Sequence, residues 1–263
     1  GLLDPLGESQ ILPYLIELRS SFSCLRIISF EKPYFSKEMI DKKRNKLKLH
    51  NIKWSPLVFS DTQNIFFKVL DLLKMYKKAF FLNLKFKYDV IHCRSYLAMK
   101  VGVCLKKLFK FKTIFDMRGL WVDDKLEGGR WPQKNILYKF IYYYWKFVER
   151  ILLDNSDYII ALTPQTKLII NQITKKKIKN ISIIPCCADF NHFDLINQKE
   201  RENYRKKLNL SNDSIVLSYL GSIGTIYLWD QMLAFFIRLN KIFPNSNFLV
   251  ITKNWDQKKQ DLL

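Results

Sequence analysis

The chain has 263 residues, a net charge of +20 and a pI near 9.7, with 48% hydrophobic and 15% aromatic residues. That apolar content excludes a disordered chain and suffices for one large domain or two of ordinary size. The charge points to an anionic partner such as nucleic acid, a membrane surface or a phosphorylated substrate, although a composition rich in Lys, Ile and Asn also carries charge without any such role.

In chain order, Gly1–Gly7 reads as a loop leaving a strand that is absent, with Gly7 as a turn before a helix carrying Ile11, Leu12, Leu15 and Leu18. The N–H groups of a helix start suit phosphate or carboxylate, and Ser9 or Gln10 can add a contact. Short β-branched runs follow at Leu25–Phe30, Ile52–Phe59, Tyr88–His92, Lys112–Asp116, Asp157–Leu162, Ile181–Pro185, Ser214–Leu220 and Asn247–Thr252. Helical periods separate them. One, after Pro132, places Leu137, Phe140, Ile141, Tyr144, Val148, Ile151 and Leu152 on one face; another groups Leu228, Met232, Phe235, Leu239 and Ile242. Strand-then-helix repetition predicts parallel sheets with right-handed crossovers. The polar stretch Asp189–Arg205 reads as a linker into a short helix. The expected domains are 1–198 and a partial second Rossmann-like domain, 199–263, ending within a helix.

The densest polar cluster is Phe115-Asp116-Met117-Arg118-Gly119 running on to Asp123, Asp124, Glu127 and Arg130. An apolar run ending in acids, arginines and glycines is how a buried strand delivers polar groups to the rim of an open sheet, where α/β proteins place ligands. The run Asp89–Ser95 offers Arg94 and Ser95 at a second strand end, where a guanidinium can grip phosphate or carboxylate in forked geometry; His92 is more ordinarily structural. In Tyr219-Leu220-Gly221-Ser222-Ile223-Gly224-Thr225, a strand runs into a turn whose glycines let backbone approach a diphosphate while Ser222 and Thr225 supply hydroxyls. Basic aromatic stretches at Lys74–Lys87, Cys104–Lys112 and Tyr138–Arg150 fit either a surface lying on anionic lipid or amphipathic helices that bury their aromatics and solvate their lysines.

Five cysteines include no CxxC pair, Cys186 and Cys187 are too close for an ordinary bridge, and there are three histidines. Reduced thiols and no metal are expected. No apolar run reaches the roughly 20 residues needed to cross a bilayer. A cytoplasmic protein, peripheral at the inner face of the plasma membrane, is expected.

Asp4–Gln10, Ile28–Lys32, Asp89–Ser95, Phe115–Gly119 and Tyr219–Thr225 occur in the order seen in bacterial family 4 retaining glycosyltransferases, which the whole chain resembles. The resemblance implies a GT-B fold: an N-terminal Rossmann-like domain on the acceptor side and an incomplete C-terminal one for a nucleotide-sugar. It implies a transferase moving a sugar onto a saccharide or lipid-linked acceptor in cell-surface polysaccharide synthesis. Asp116 and Arg118 would be catalytic, and Gly7, Gly221, Ser222, Gly224 and Thr225 would bind the donor. Arg94, Ser95, Gly119, Glu127 and Arg130 would bind the acceptor. The nucleotide-sugar is then a co-substrate, with no cofactor, no metal and no nucleic-acid partner. Two departures stand out. The family's paired glutamates, separated by seven residues, have no match after Leu220, and Asp116 stands where many relatives have a histidine. The chain therefore reads as a fragment without a complete donor site. The rival is a non-catalytic basic module for nucleic acid or anionic membrane; charge spread along the chain and the lack of a helix-turn-helix, zinc-finger or RNP pattern weigh against nucleic acid.

Overall fold

All eight expected strands form in the structure, a computed structural model that describes residues 1–252 apart from 63, 175–179, 189, 191–196 and 224–226. They are β1 (Leu25–Glu31), β2 (Ile52–Val58), β3 (Val90–Arg94), β4 (Lys112–Asp116), β5 (Tyr158–Ala161), β6 (Ile181–Ile183), β7 (Ile215–Leu220) and β8 (Ser246–Ile251). Every ladder is parallel, with β1 on β2, β3-β4-β5-β6 in sequence order, and β7 on β8. Parallel pairing follows from the crossovers, since each returning helix brings the next strand in with the same direction. Those helices are α3 (Lys37–Leu49), α4 (Ile65–Phe86), α5 (Tyr96–Lys106), α6 (Trp121–Glu127), α7 (Ile136–Asp154), α8 (Pro164–Ile173), α9 (Gln198–Lys207) and α10 (Trp229–Ile242). Before β1 lie two short helices, α1 (Pro5–Gln10) and α2 (Leu12–Glu17).

The chain divides into two compact units, Gly1–Trp121 with Tyr144–Cys187, and Val122–Tyr143 with Ala188–Leu263. In the first, Leu2, Leu12, Leu47, Ile52 and Trp54 form one buried cluster, and Val101, Leu105 and Phe111 form another against Leu72, Met75, Tyr76, Ala79 and Phe80 of α4. The second unit holds β7 and β8, with Phe236 and Trp229 of α10 stacked on Phe248. α9 opens on a reciprocal cap, in which Asn197 accepts from the Glu200 amide and Glu200 accepts from the Asn197 amide.

Three expectations change. Gly7 lies inside α1 rather than in a turn ahead of a single helix, because Pro5 starts a helix at once and Pro13 starts a second. The expected apolar face of α7 is buried only near its end: Val148 and Leu152 are covered, whereas Leu137, Phe140, Tyr144 and Ile151 are exposed. In α10 it is Trp229 that is buried, and Phe235 and Ile242 are exposed. Periodicity defines a face, but neighbours decide how much of it is covered.

Asp157 ties the first unit together at the amino end of β5. Its carboxylate takes Lys106 Nζ at 2.5 Å, the Thr113 amide at 2.8 Å and Thr113 Oγ1 at 3.0 Å. Burial pushes the carboxyl up, but the bonds from Lys106 and Thr113 outweigh it and bring the pKa down to about 2. A folded pKa below the unfolded value of about 3.9 gives stability that is complete above that value and is lost as pH falls towards 2. Asp157→Asn is expected to cost about 1–2 kcal/mol at pH 7 and to flatten the loss of stability between pH 4 and 2, measured by urea unfolding. An unchanged pH profile would contradict this role.

Candidate functional site at the carboxyl edge of the four-stranded sheet

The register of β3 on β4 sets Arg94 directly beside Asp116. With a side-chain period of two, His92 and Arg94 share one face with Ile114 and Asp116, while Cys93 and Phe115 turn to the other and are buried. The strands thus end in a cluster of charge. Asp116, only 4% exposed, lies 3.5 Å from His92 Nε2, 3.3 Å from Arg94 Nη1 and 3.7 Å from Arg118 Nη1. Burial pushes its carboxyl up, but His92, Arg94 and Arg118 together hold it below the ordinary carboxylate range. Oδ1 of Asp116 accepts no hydrogen bond among the described residues. Gln10, at the end of α1, lies with Oε1 within reach of both Arg94 Nη2 at 3.5 Å and Arg118 Nη2 at 3.4 Å. Arg118 also reaches Cys186 Sγ at 3.1 Å, in the segment after β6. Burial and the adjacent Arg118 lower the pKa of Arg94.

Backbone geometry shapes this rim. Ser95 has φ 75° and ψ 167°, a region nearly reserved for glycine, and it is held there by its amide on the Asp116 carbonyl at 3.0 Å. It precedes α5 without capping it by its side chain. Gly119 has φ 143°, which lets the chain leave β4 through Met117 and Arg118 towards α6. Behind the loop, Tyr96 Oη donates to Glu149 Oε1 at 2.5 Å and lies 3.4 Å from the Gly119 carbonyl, and Lys146 Nζ sits 2.5 Å from Glu149 Oε2. Glu149 is fully buried on α7. Trp121 packs on Tyr96 and Trp145 with ring centroids 5.5 and 5.0 Å apart. Nothing in the sequence marked Tyr96 or Glu149, because each looks like an ordinary helical residue until α5 and α7 are brought together.

The first unit therefore gathers Arg94, Ser95, Asp116, Arg118 and Gly119, and adds His92, Gln10 and Cys186. Gly7 is buried, and a Cβ there would come within 2.4–2.7 Å of the Gly1 and Leu2 backbone, so its place in the structure is one of close packing. Ser9 donates its hydroxyl to the Pro5 carbonyl at 2.8 Å. Glu31, which sequence reasoning did not single out as a site, is buried and accepts from the Leu2 and Leu3 amides and from Ser29, tying the first residues to the end of β1. Glu127, Arg130, Gly221 and Ser222 belong to the second unit; Glu127 and Arg130 are exposed. There the Gly221 amide bonds the Ile251 carbonyl and Tyr219 Oη donates to the Ser222 carbonyl. Gly224 and Thr225 lie outside the described residues. Among the described residues no group of three or more His, Cys, Asp or Glu is placed to hold a metal, and no helix is long and apolar enough to cross a membrane.

No family model matches the chain, and no curated protein does. Solved structures do. Alr3699/HepE of Anabaena, in complex with UDP and glucose, aligns over 95% of this chain and 59% of its own length at a TM-score of 0.59 and 12% identity. The fold is GT-B. Sucrose-phosphate synthase from Thermosynechococcus elongatus aligns over 90% of this chain and 64% of its own at 0.57 and 16% identity. Arabidopsis thaliana UGT89C1, complexed with UDP-L-rhamnose, aligns over 94% and 67% at 0.52 and 12% identity. The chain spans less than two thirds of the first two, and identities this low carry the fold alone.

Tyr96→Phe removes the donor to Glu149 and leaves a buried carboxylate short of a hydrogen bond. The expected cost is about 1–3 kcal/mol, read as a lower unfolding midpoint. A midpoint equal to the parent's would show that the pair does not brace the loop.

Proposed function

We propose that the protein is a nucleotide-sugar-dependent glycosyltransferase, of the retaining, metal-independent kind that its resemblance to family 4 implies. The observation that carries this is Asp116: a buried, ionised carboxylate whose Oδ1 accepts no hydrogen bond among the described residues, held by cations at the rim of a parallel sheet in a GT-B fold. A group so placed accepts a hydroxyl of a bound sugar and fixes its orientation. In the transfer, the bond between the anomeric carbon and the donor phosphate oxygen breaks, and the acceptor oxygen bonds the same carbon. The acceptor proton passes to the departing phosphate oxygen. Arg118 favours the negative charge that develops on that group, and Gly221, Ser222, Gly224 and Thr225 are assigned to the diphosphate. Arg94, Ser95 and Gly119 lie on the acceptor side.

The acceptor is a saccharide or a lipid-linked saccharide of cell-surface polysaccharide synthesis, met at the cytoplasmic face of the membrane. Support for the membrane comes from α4. Phe66, Leu73, Phe81 and Leu84 fall on one helical face and are each more than half exposed, at 63, 56, 55 and 55%. Lys74, Lys77, Lys78 and Lys85 flank that face. Of the aromatics in this stretch, Tyr76 and Phe80 pack inward while Phe81 does not, so burial accounts for only part of the pattern.

Two measurements test this reading. In a transfer assay with UDP-hexose donors, Asp116→Asn should lower turnover about 100-fold with the fold retained; near-normal turnover would return Asp116 to a structural role. Changing Lys74, Lys77 and Lys78 together to Gln should weaken binding to phosphatidylserine-containing vesicles by on the order of 100-fold, given about 1 kcal/mol per lysine. Unchanged binding would remove the membrane from the proposal.

A further inference from the structure

We propose that the protein self-associates through α7: the outward face of that helix pairs with the same face of a second copy about a two-fold axis. This goes beyond the transferase reading and does not depend on it.

Leu137, Phe140, Tyr144, Phe147 and Ile151 follow one another along α7 at spacings of three and four residues, with Ile136 and Tyr143 beside them. At about 100° per residue these side chains all fall within an arc of about 120°. α7 is one unbroken helix, so its own geometry fixes the row. Every member is exposed, from 37% for Ile151 to 72% for Ile136. The opposite side of the helix is covered, with Val148, Glu149, Leu152 and Leu153 buried. Glu149, which holds Tyr96 behind the rim, points about 180° away from the middle of the row. The inward face of α7 thus packs within the molecule and leaves the outward face to pair.

Size separates this row from ordinary surface apolarity. With roughly 200 Å² for an aromatic side chain and somewhat less for an aliphatic one, the row exposes on the order of 700 Å². The largest apolar patch of a typical monomer is about 300–600 Å². Two such rows face to face remove up to about 1,400 Å² from water, within the range of a stable interface of standard size. Alternating spacings of three and four make the seam that one helix offers another packed nearly along its axis, and Phe and Tyr are favoured at interface centres. Charge favours a second copy over anionic lipid. α7 carries three basic and two acidic residues, with Lys146 paired to Glu149 and Arg150 to Asp154, whereas α4 carries five basic residues and one acid. A two-fold contact brings a face against its own charges, so a face near neutrality meets itself without repulsion, while it gains little from an anionic surface.

The test is sedimentation velocity of the 263-residue chain at physiological salt. Between about 1 and 100 µM the parent should pass from monomer to dimer. Phe140→Glu and Phe147→Glu should each weaken association at least about 10-fold, and Leu73→Glu on α4 should leave it unchanged. All three side chains are exposed, so the unfolding midpoints at low concentration should match the parent's. Phe140→Gln and Phe147→Gln serve in the same way if a Glu variant unfolds early. A parent that stays monomeric at the highest concentration overturns the proposal, as does a dimer that survives both α7 changes or is lost with Leu73→Glu. Weaker binding of the α7 variants to phosphatidylserine-containing vesicles, with association unchanged, would put lipid on the row in place of a second copy and overturn it too. No sugar donor or turnover enters the measurement, so its failure is separate from a failure of the transferase reading.

Discussion

A carboxylate taken out of water at the end of a β-strand has to be offset by nearby donors and positive charge, and Asp116 sets that requirement for the rim of the first unit. Arg94 reaches it across the parallel ladder, Arg118 follows it by two residues, and His92 lies on the same face one step back. The arrangement overcompensates. It leaves Asp116 Oδ1 facing Arg118 at 3.7 Å without a hydrogen bond, and places more positive charge at the rim than the carboxylate cancels.

Holding such a cluster open takes a rigid frame. The Asp116 carbonyl fixes Ser95 in a backbone conformation that few side-chain-bearing residues adopt, so the ends of β3 and β4 are locked to each other. Tyr96, the next residue, carries the constraint into the interior through Glu149 and Lys146 on α7. At the other side, Glu31 binds the amides of Leu2 and Leu3, and close packing of Gly7 on the Leu2 backbone sets α1, whose last residue, Gln10, meets the two arginines. The site is thus assembled from strand ends but aimed by groups one layer behind them.

Much of the charge of +20 sits away from this rim. On α4, lysines border a row of exposed apolar side chains, a combination that favours a surface both anionic and apolar. The second unit shows exposed apolar residues for another reason. Among the described residues its sheet has two strands with one helix packed on them, which leaves a face uncovered, and Leu220, Phe235, Ile242 and Ile251 are exposed.

Strand positions and parallel pairing were legible in the sequence because short β-branched runs, which form strands of three to seven residues, have few other solutions between helical periods. Asp116, Arg118, Arg94 and Ser95 were legible for the same reason, since polar residues directly after a buried run must fall at a strand end. A glycine beside a helix start looks the same in sequence whether it approaches a phosphate or a backbone, and the close packing of Gly7 on Leu2 shows only in the tertiary structure. Tyr96, Glu149, Glu31 and Gln10 acquired their roles through contacts such as Leu2–Glu31, Tyr96–Glu149 and Gln10–Arg118, which span 29, 53 and 108 residues of chain. The sequence by itself determined which elements form and which residues stand at their ends, because those depend on local periodicity. The tertiary structure alone decided which of them share one charge cluster and which carboxylate oxygen accepts no hydrogen bond, because hydrogen-bond partners and burial depend on distances between elements that local pattern does not encode.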